Sequence, residues 1–173
     1  MRLGTERLIL RPVEPGDAED LHTVFSDPST FEFIGSAPAQ SIDDTLARME
    51  RRATMQREHG FSPWSVIERS SGRVIGDCGL QVLEEGPDVE LGYKLGREFR
   101  GRGYATEAGR AALEHGFATI GLERIVAVAW PDHAASRRVM EKLGMTLVGT
   151  GHHYGHETVL YRVTREEFAR PAG

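Results

Sequence analysis

Arg100-Gly101-Arg102-Gly103-Tyr104-Ala105 is the run of residues best suited to chemistry in this chain. It follows Val89-Glu90-Leu91-Gly92-Tyr93-Lys94-Leu95, which alternates like a strand, and it precedes Thr106, where a helix is expected to open. A strand that passes through a glycine-rich loop into a helix start makes an anion hole. The glycines let successive backbone N–H groups turn inward, and the helix N-terminus adds partial positive charge. A pyrophosphate suits such a loop.

Spacing separates the ligands that use this device. A nucleoside-triphosphate loop needs G-x-x-x-x-G-K-[ST], and no Lys-Ser/Thr pair stands where the terminal phosphates and Mg²⁺ would be held. A dinucleotide fingerprint needs a third glycine three residues after Gly103, where the chain has Thr106. Glu123 lies at a distance compatible with that fingerprint, so it stays as a weaker alternative. An exposed basic turn or a nucleic-acid contact is the other alternative. With 21 basic against 26 acidic residues and a net charge of −5, the chain lacks the broad positive field that duplex binding uses.

The remaining pattern is R/Q-x-x-G-x-G/A, which the six residues match. Here the chain resembles the GCN5-related N-acetyltransferase (GNAT) superfamily, whose loop of this form holds the pyrophosphate of acetyl-CoA. Four further segments resemble the branch of ribosomal-protein N-terminal acetyltransferases. They are Thr5-Glu6-Arg7-Leu8-Ile9-Leu10-Arg11-Pro12, Gly72-Arg73-Val74-Ile75-Gly76, residues 135–145 and residues 159–168. The resemblance spans nearly the whole chain.

It implies an α/β fold with a mixed, mostly antiparallel sheet of about seven strands flanked by about four helices. It implies acetyl-CoA as cosubstrate and a primary amine as acceptor, either a protein or peptide N-terminus or a small amine or antibiotic. A non-catalytic acyl-CoA sensor or scaffold is the alternative class. The resemblance also places Arg100, Gly101, Arg102, Gly103, Tyr104, Ala105 and Thr106 on the pyrophosphate. It places the backbone of Tyr93, Lys94 and Leu95 along the pantetheine and acyl carbonyl. Relatives are often dimers, so a homodimer is a possible state.

Acetyl transfer to an amine needs a neutral amine, a polarised carbonyl and a stabilised thiolate. Glu90, three residues before Tyr93, is the candidate base, with a structural ion pair as the alternative. An α-amine titrates near about 7.7–8.0 and a lysine amine near about 10.4, so a base matters more for the latter. Ser136 matches the serine of the family's N-x-x-S pattern and is the candidate at the thiolate end. A purely local hydrogen bond at the helix start is its alternative. Two positions depart from the family. His133 replaces the Asn of that pattern, and it titrates near neutral pH. Met140 stands where relatives carry a tyrosine acid, which excludes one at that position.

The rest of the chain must position these residues. Its 173 residues, 39% hydrophobic, suit one folded domain over 1–173 with a loose tail at 170–173. No apolar run suggests a membrane span, and no signal peptide is evident. The single cysteine, Cys78, cannot form an internal disulfide and reads as a small buried hydrophobe, so a cytoplasmic location is expected. His152-His153-Tyr154-Gly155-His156 reads as the rim of an acceptor pocket or a solvated turn, and no metal is expected there. Phe31, Phe33, Trp64 and Trp130 read as core, with Phe31 and Phe33 near the acceptor cleft.

Strands are expected over about 7–11, 61–69, 74–83, 89–95, 124–129, 146–152 and 157–163, with a turn at Glu85-Gly86-Pro87-Asp88. Helices are expected from Pro15 to Phe25, from a Ser41 cap to His59, over 106–120, and over 134–143 before Gly144. In the second helix, Leu46, Met49, Ala53 and Gln56 are expected to share the inward face.

Overall fold

The computed structural model describes residues 1–84 and 86–170; Glu85 of the expected turn and residues 171–173 of the expected tail lie outside the described residues. The fold is a mixed α/β sheet of eight strands in the order β1-β2-β3-β4-β5-β6-β8-β7. The strands are β1 (Leu3–Gly4), β2 (Leu8–Arg11), β3 (Pro63–Glu68), β4 (Val74–Val82), β5 (Val89–Leu95), β6 (Arg124–Ala129), β7 (Thr146–His153) and β8 (His156–Thr164). All neighbours pair antiparallel except β5 and β6. The helices are α1 (Ala18–Ser26), α2 (Ile42–His59), α3 (Tyr104–His115), α4 (Ala134–Lys142) and α5 (Arg165–Ala169). The strand β1 and the helix α5 add to the expected elements. Both are short, two and five residues, and below the length at which periodicity can be read.

Two apolar layers sandwich the sheet. Leu8, Leu10, Val66, Cys78, Leu80, Leu91 and Leu95 pack with Ala108, Ala112 and Leu113 of α3 and with Met140 of α4. On the other side, Leu21, Val24 and Phe25 of α1 pack with Phe31, Met49, Ile67 and Val74. Because strand side chains alternate, Leu91, Tyr93 and Leu95 turn toward the α3 layer, while Glu90 and Lys94 turn toward α1 and α2.

Local chemistry explains the ends of α2. Ser41 Oγ accepts from Asp44 N–H at 3.2 Å, Asp44 accepts from Ser41 N–H at 3.1 Å, and Gly60 closes the helix at φ 79°. The expected inward face is met at Met49, with Ala53 and Gln56 half-buried, and missed at Leu46. Thr45, Met49 and Arg52 are buried, whereas Leu46 is 43% exposed. Arg52 turns inward because a buried carboxylate, Asp77, waits beneath it. A charge partner thus outweighs an apolar side chain in setting the helix phase. The helix after the loop starts at Tyr104, ahead of the expected Thr106, and residues 116–120 form a wider π turn beyond its end.

α1 is held down by another buried carboxylate. Asp17, 2% exposed, accepts from Arg11 at 2.7 and 2.8 Å, from Ser65 Oγ at 2.7 Å and from Glu14 N–H at 2.9 Å. Burial pushes its carboxyl up, but these donors outweigh burial and hold it below the ordinary value. Cys78 is fully buried, and burial raises its thiol out of the reactive range. No helix among the described residues is long and apolar enough to cross a membrane.

Candidate active site

The sheet opens where the parallel pair meets. β5 and β6 share one register contact, Glu90 with Val126, after which β6 continues along β8 alone. The backbone of β5 from Leu91 to Leu95 therefore faces a wedge, across from Val128, Ala129 and Trp130. On its other side β5 stays tightly paired with β4. A Cβ at Gly76 would stand 2.0 Å from the Lys94 carbonyl oxygen, so only glycine allows that approach. Gly92 is the opposite case: a Cβ there meets open space, and the residue lines the cleft. The wedge belongs to a cleft of about 820 Å³ that runs from the Arg100–Thr106 loop to the tip of the β7–β8 hairpin.

At one end the loop presents backbone. Gly101 and Gly103 hold φ of 73° and 81°, a conformation that side chains disfavour. The first helical bond runs from Glu107 N–H to the Gly103 carbonyl at 3.0 Å, which leaves the preceding N–H groups of α3 for a ligand. The loop is fixed from below. Arg7 donates to the Arg102 carbonyl at 2.9 Å and pairs with Glu107 at 2.7 Å, and Tyr104 donates to Glu68 at 2.6 Å. Arg100 turns inward. It donates to the Leu95 carbonyl at 2.9 Å, to Ser29 Oγ at 3.1 Å and to Thr30 Oγ1 at 2.9 Å. It ties the loop to the segment after α1, and both Arg100 and Arg102 stay exposed.

Midway, Ser136 sits in the first turn of α4, buried, with its hydroxyl 2.9 Å from the Tyr93 hydroxyl. Its partner is thus across the cleft on β5, not a local backbone group. Burial raises the Tyr93 phenol well above its ordinary value, so it stays protonated. His133 precedes α4 and stacks on Phe33 with ring centroids 4.4 Å apart. Burial, opposed by the charge of Glu32 and helped by that of Arg100, holds His133 below its ordinary value, so it is neutral at pH 7, where the sequence suggests titration.

At the far end Glu90 is buried among donors. Gln81 on β4 and the Tyr154 hydroxyl both donate to its carboxylate. Burial raises the Glu90 carboxyl above its usual value, and those two hydrogen bonds oppose the rise. Tyr154 and Gly155 form the two-residue turn between His153 and His156, at φ 53° and 78°. A tyrosine in that first position is strained, at roughly 1–3 kcal/mol. Its N–H donates to Glu84 at 2.8 Å, which pins the hairpin tip over the cleft. Tyr154 and Gln81 as partners of Glu90 were not legible in the sequence, since they come from separate elements. Phe33 and Trp130 are half-buried in the cleft wall, with His156 4.4 Å from Trp130, while Phe31 and Trp64 are core. Among the described residues no group of three His, Cys, Asp or Glu side chains could hold a metal.

A sheet splayed at one parallel pair, a glycine loop at the next helix start and a polar far end define an acyl-CoA transferase architecture. The acetyltransferase (GNAT) domain model matches residues 7–146. An uncharacterized N-acetyltransferase p20 of Bacillus licheniformis is 30% identical over 85% of this chain and 83% of its own. A GNAT-family acetyltransferase structure from Bacillus anthracis superimposes with a TM-score of 0.83 at 26% identity, covering 96% of this chain and 99% of that one. The ribosomal-protein-S5-alanine acetyltransferase of Vibrio fischeri shares the fold, with a TM-score of 0.78 at 17% identity over 98% and 100% of the two chains. The chain belongs to the GNAT acetyltransferase family, and it is an N-acetyltransferase dependent on acetyl-CoA.

Proposed function

We propose that the protein moves acetyl from acetyl-CoA to the α-amine at a protein or peptide N-terminus, by direct attack in a ternary complex. The observation that carries this is the wedge. It leaves one row of β5 backbone groups unpaired between the glycine loop and Glu90, so a thioester and an amine can meet from its two ends. The residues fit the cosubstrate. Gly101 to Thr106 would hold its pyrophosphate, and Tyr93, Lys94 and Leu95 would align its pantetheine arm. Bound acetyl-CoA supplies the activated acyl carbon and a thiolate leaving group.

The chain's own residues supply the rest. As the nitrogen–carbon bond forms and the carbon–sulfur bond breaks, one proton leaves nitrogen and one is needed at sulfur. Glu90 takes the first, its carboxylate held by Tyr154 and Gln81. The Ser136 and Tyr93 hydroxyls stand at the other side of β5 as the donors for the second. His133 replaces the usual asparagine as a neutral ring that can still donate. The buried thiol of Cys78 offers no nucleophile for a covalent route.

The N-terminal acceptor rests on the segments that resemble the ribosomal-protein branch and on the likeness to the S5-alanine enzyme. It is tested by following CoA release with short peptides of free and blocked α-amine, and with lysine-only and polyamine acceptors. Turnover restricted to free α-amines supports the reading, and turnover of polyamines or antibiotics alone overturns it. Acetyl-CoA binding with no turnover on any amine would favour the sensor or scaffold alternative.

A further inference from the structure

The acceptor end of the cleft has a cationic wall with more positive charge than the described carboxylates beside it match. Arg48, Arg51, Arg52 and Met55 lie at positions i, i+3, i+4 and i+7 of α2, and all four line the cleft. Lys94, on the α2 side of β5, lines it too. One buried carboxylate, Asp77, answers this group. It pairs with Arg52 and lies 4.0 Å from Lys94 Nζ. The other paired cation of α2 is Arg57, which meets Glu50 on the outer surface. Arg48 and Arg51 pair with no carboxylate among the described residues.

Two independent observations point to a missing anion. Arg52 is 8% exposed and shares its one carboxylate, Asp77, with Lys94. Arg48 lies over the Phe31 ring at 4.8 Å, and burial, then the charges of Arg51 and Arg52, lower its pKa. An anion on this wall would relieve the repulsion among these cations. The pyrophosphate loop opens α3, which packs on the other layer of the sheet, and it reaches this side only through Arg100 at Ser29 and Thr30; the acetyl-CoA affinity of an α2 arginine variant separates an acceptor anion from the cosubstrate's phosphates.

We infer that the acceptor is a primary amine that carries a carboxylate, with Glu90 receiving the amine and Arg48, Arg51, Arg52 and Lys94 receiving the anion. This rests on the acetyltransferase reading above. Glu90 and Lys94 are four residues apart on one strand, about 13 Å by strand rise. The anion therefore sits several bonds from the amine, as an acidic side chain near a peptide N-terminus does. The α-carboxylate of a free amino acid is the other source of the same chemistry. A polycationic amine is disfavoured, because this wall repels it.

Two readouts test this. The tripeptides Ala-Glu-Ala and Ala-Gln-Ala, both C-terminally amidated, differ by one charge, and alanine against alaninamide tests the free amino acid. CoA release is followed on each pair. The N-acetylated tripeptides are titrated calorimetrically into CoA-saturated protein, which needs no turnover. The expected result is at least a tenfold preference for the acidic peptide in kcat/KM and in binding. Arg51→Glu should abolish that preference and Arg51→Lys restore most of it, with acetyl-CoA affinity unchanged, since Arg51 is exposed and pairs with no carboxylate among the described residues. A preference confined to alanine over alaninamide assigns the anion to a free amino acid and overturns the peptide spacing. An acidic preference in binding without turnover upholds the anion site and sinks the acetyltransferase acceptor. Equal use of acid and amide, or binding of neither product, overturns the inference.

Discussion

The two ends of the cleft are built differently. The loop end uses backbone: six consecutive residues, two of them glycines at positive φ, present N–H groups at a helix start. The acceptor end uses side chains from α2, β4, β5, the segment after α1 and a hairpin tip. The first arrangement is written in one stretch of sequence. The second exists only once the sheet has formed. Backbone recognition suits a ligand part common to every turnover, whereas in the proposed reading the side chains set which amine enters, and these can change without disturbing the loop.

The contrast can be broken at either end. Gly92→Val should have the largest effect. The Cβ meets open space in the cleft where β5 borders the wedge, so acetyl-CoA affinity should fall at least a hundredfold by calorimetry while the circular dichroism spectrum is kept.

Asp17→Asn tests the anchorage of the acceptor half, since Asp17 ties α1 to β2 and β3. Removing one partner of a buried pair should cost about 3 kcal/mol in urea unfolding. The sign with pH follows from its depressed carboxyl. The contribution is complete above the unfolded value of about 3.9 and is lost as pH falls through the lower folded value, so wild type and variant should converge in acid.

Glu90→Gln should lower kcat/KM by about a hundredfold on a lysine amine and by less on an α-amine, because more of the latter is already neutral. In wild type the rate should rise with pH through a midpoint above that of an ordinary glutamate, since burial raises this carboxyl. The variant should lose that acidic limb.

Tyr154→Asn gives the smallest and most diagnostic change. Asparagine suits the left-handed turn position better, so stability should hold or rise by about 1 kcal/mol. The lost hydroxyl should still reduce kcat/KM by about tenfold, read from CoA release and urea unfolding on the same sample. Stability and activity moving together would place Tyr154 in the fold and not in the site.

What the sequence revealed follows the same division. The loop, the strand before it, both caps of α2 and the glycine after α4 were readable because each depends on neighbours within a few positions. The inward turn of Arg100, the Tyr93–Ser136 pair and the Tyr154–Glu90 contact were not. Each joins residues that are 43 to 71 positions apart. The phase of α2 misled for a related reason: Leu46 has the apolar side chain, but Asp77, on a strand 25 positions beyond Arg52, decides which face turns inward. The double histidine before Tyr154 drew attention to the right turn, although the tyrosine is the residue that reaches Glu90.

The most direct measurement is a calorimetric titration of the protein with acetyl-CoA, run on wild type, Gly92→Val, Gly103→Val and Arg51→Glu at one salt concentration. Binding in the micromolar range, about −8 kcal/mol, is expected for wild type and Arg51→Glu and should vanish in both glycine variants. A folded wild type that binds no acetyl-CoA, or glycine variants that bind it as tightly as wild type, would contradict the assignment of the wedge and loop.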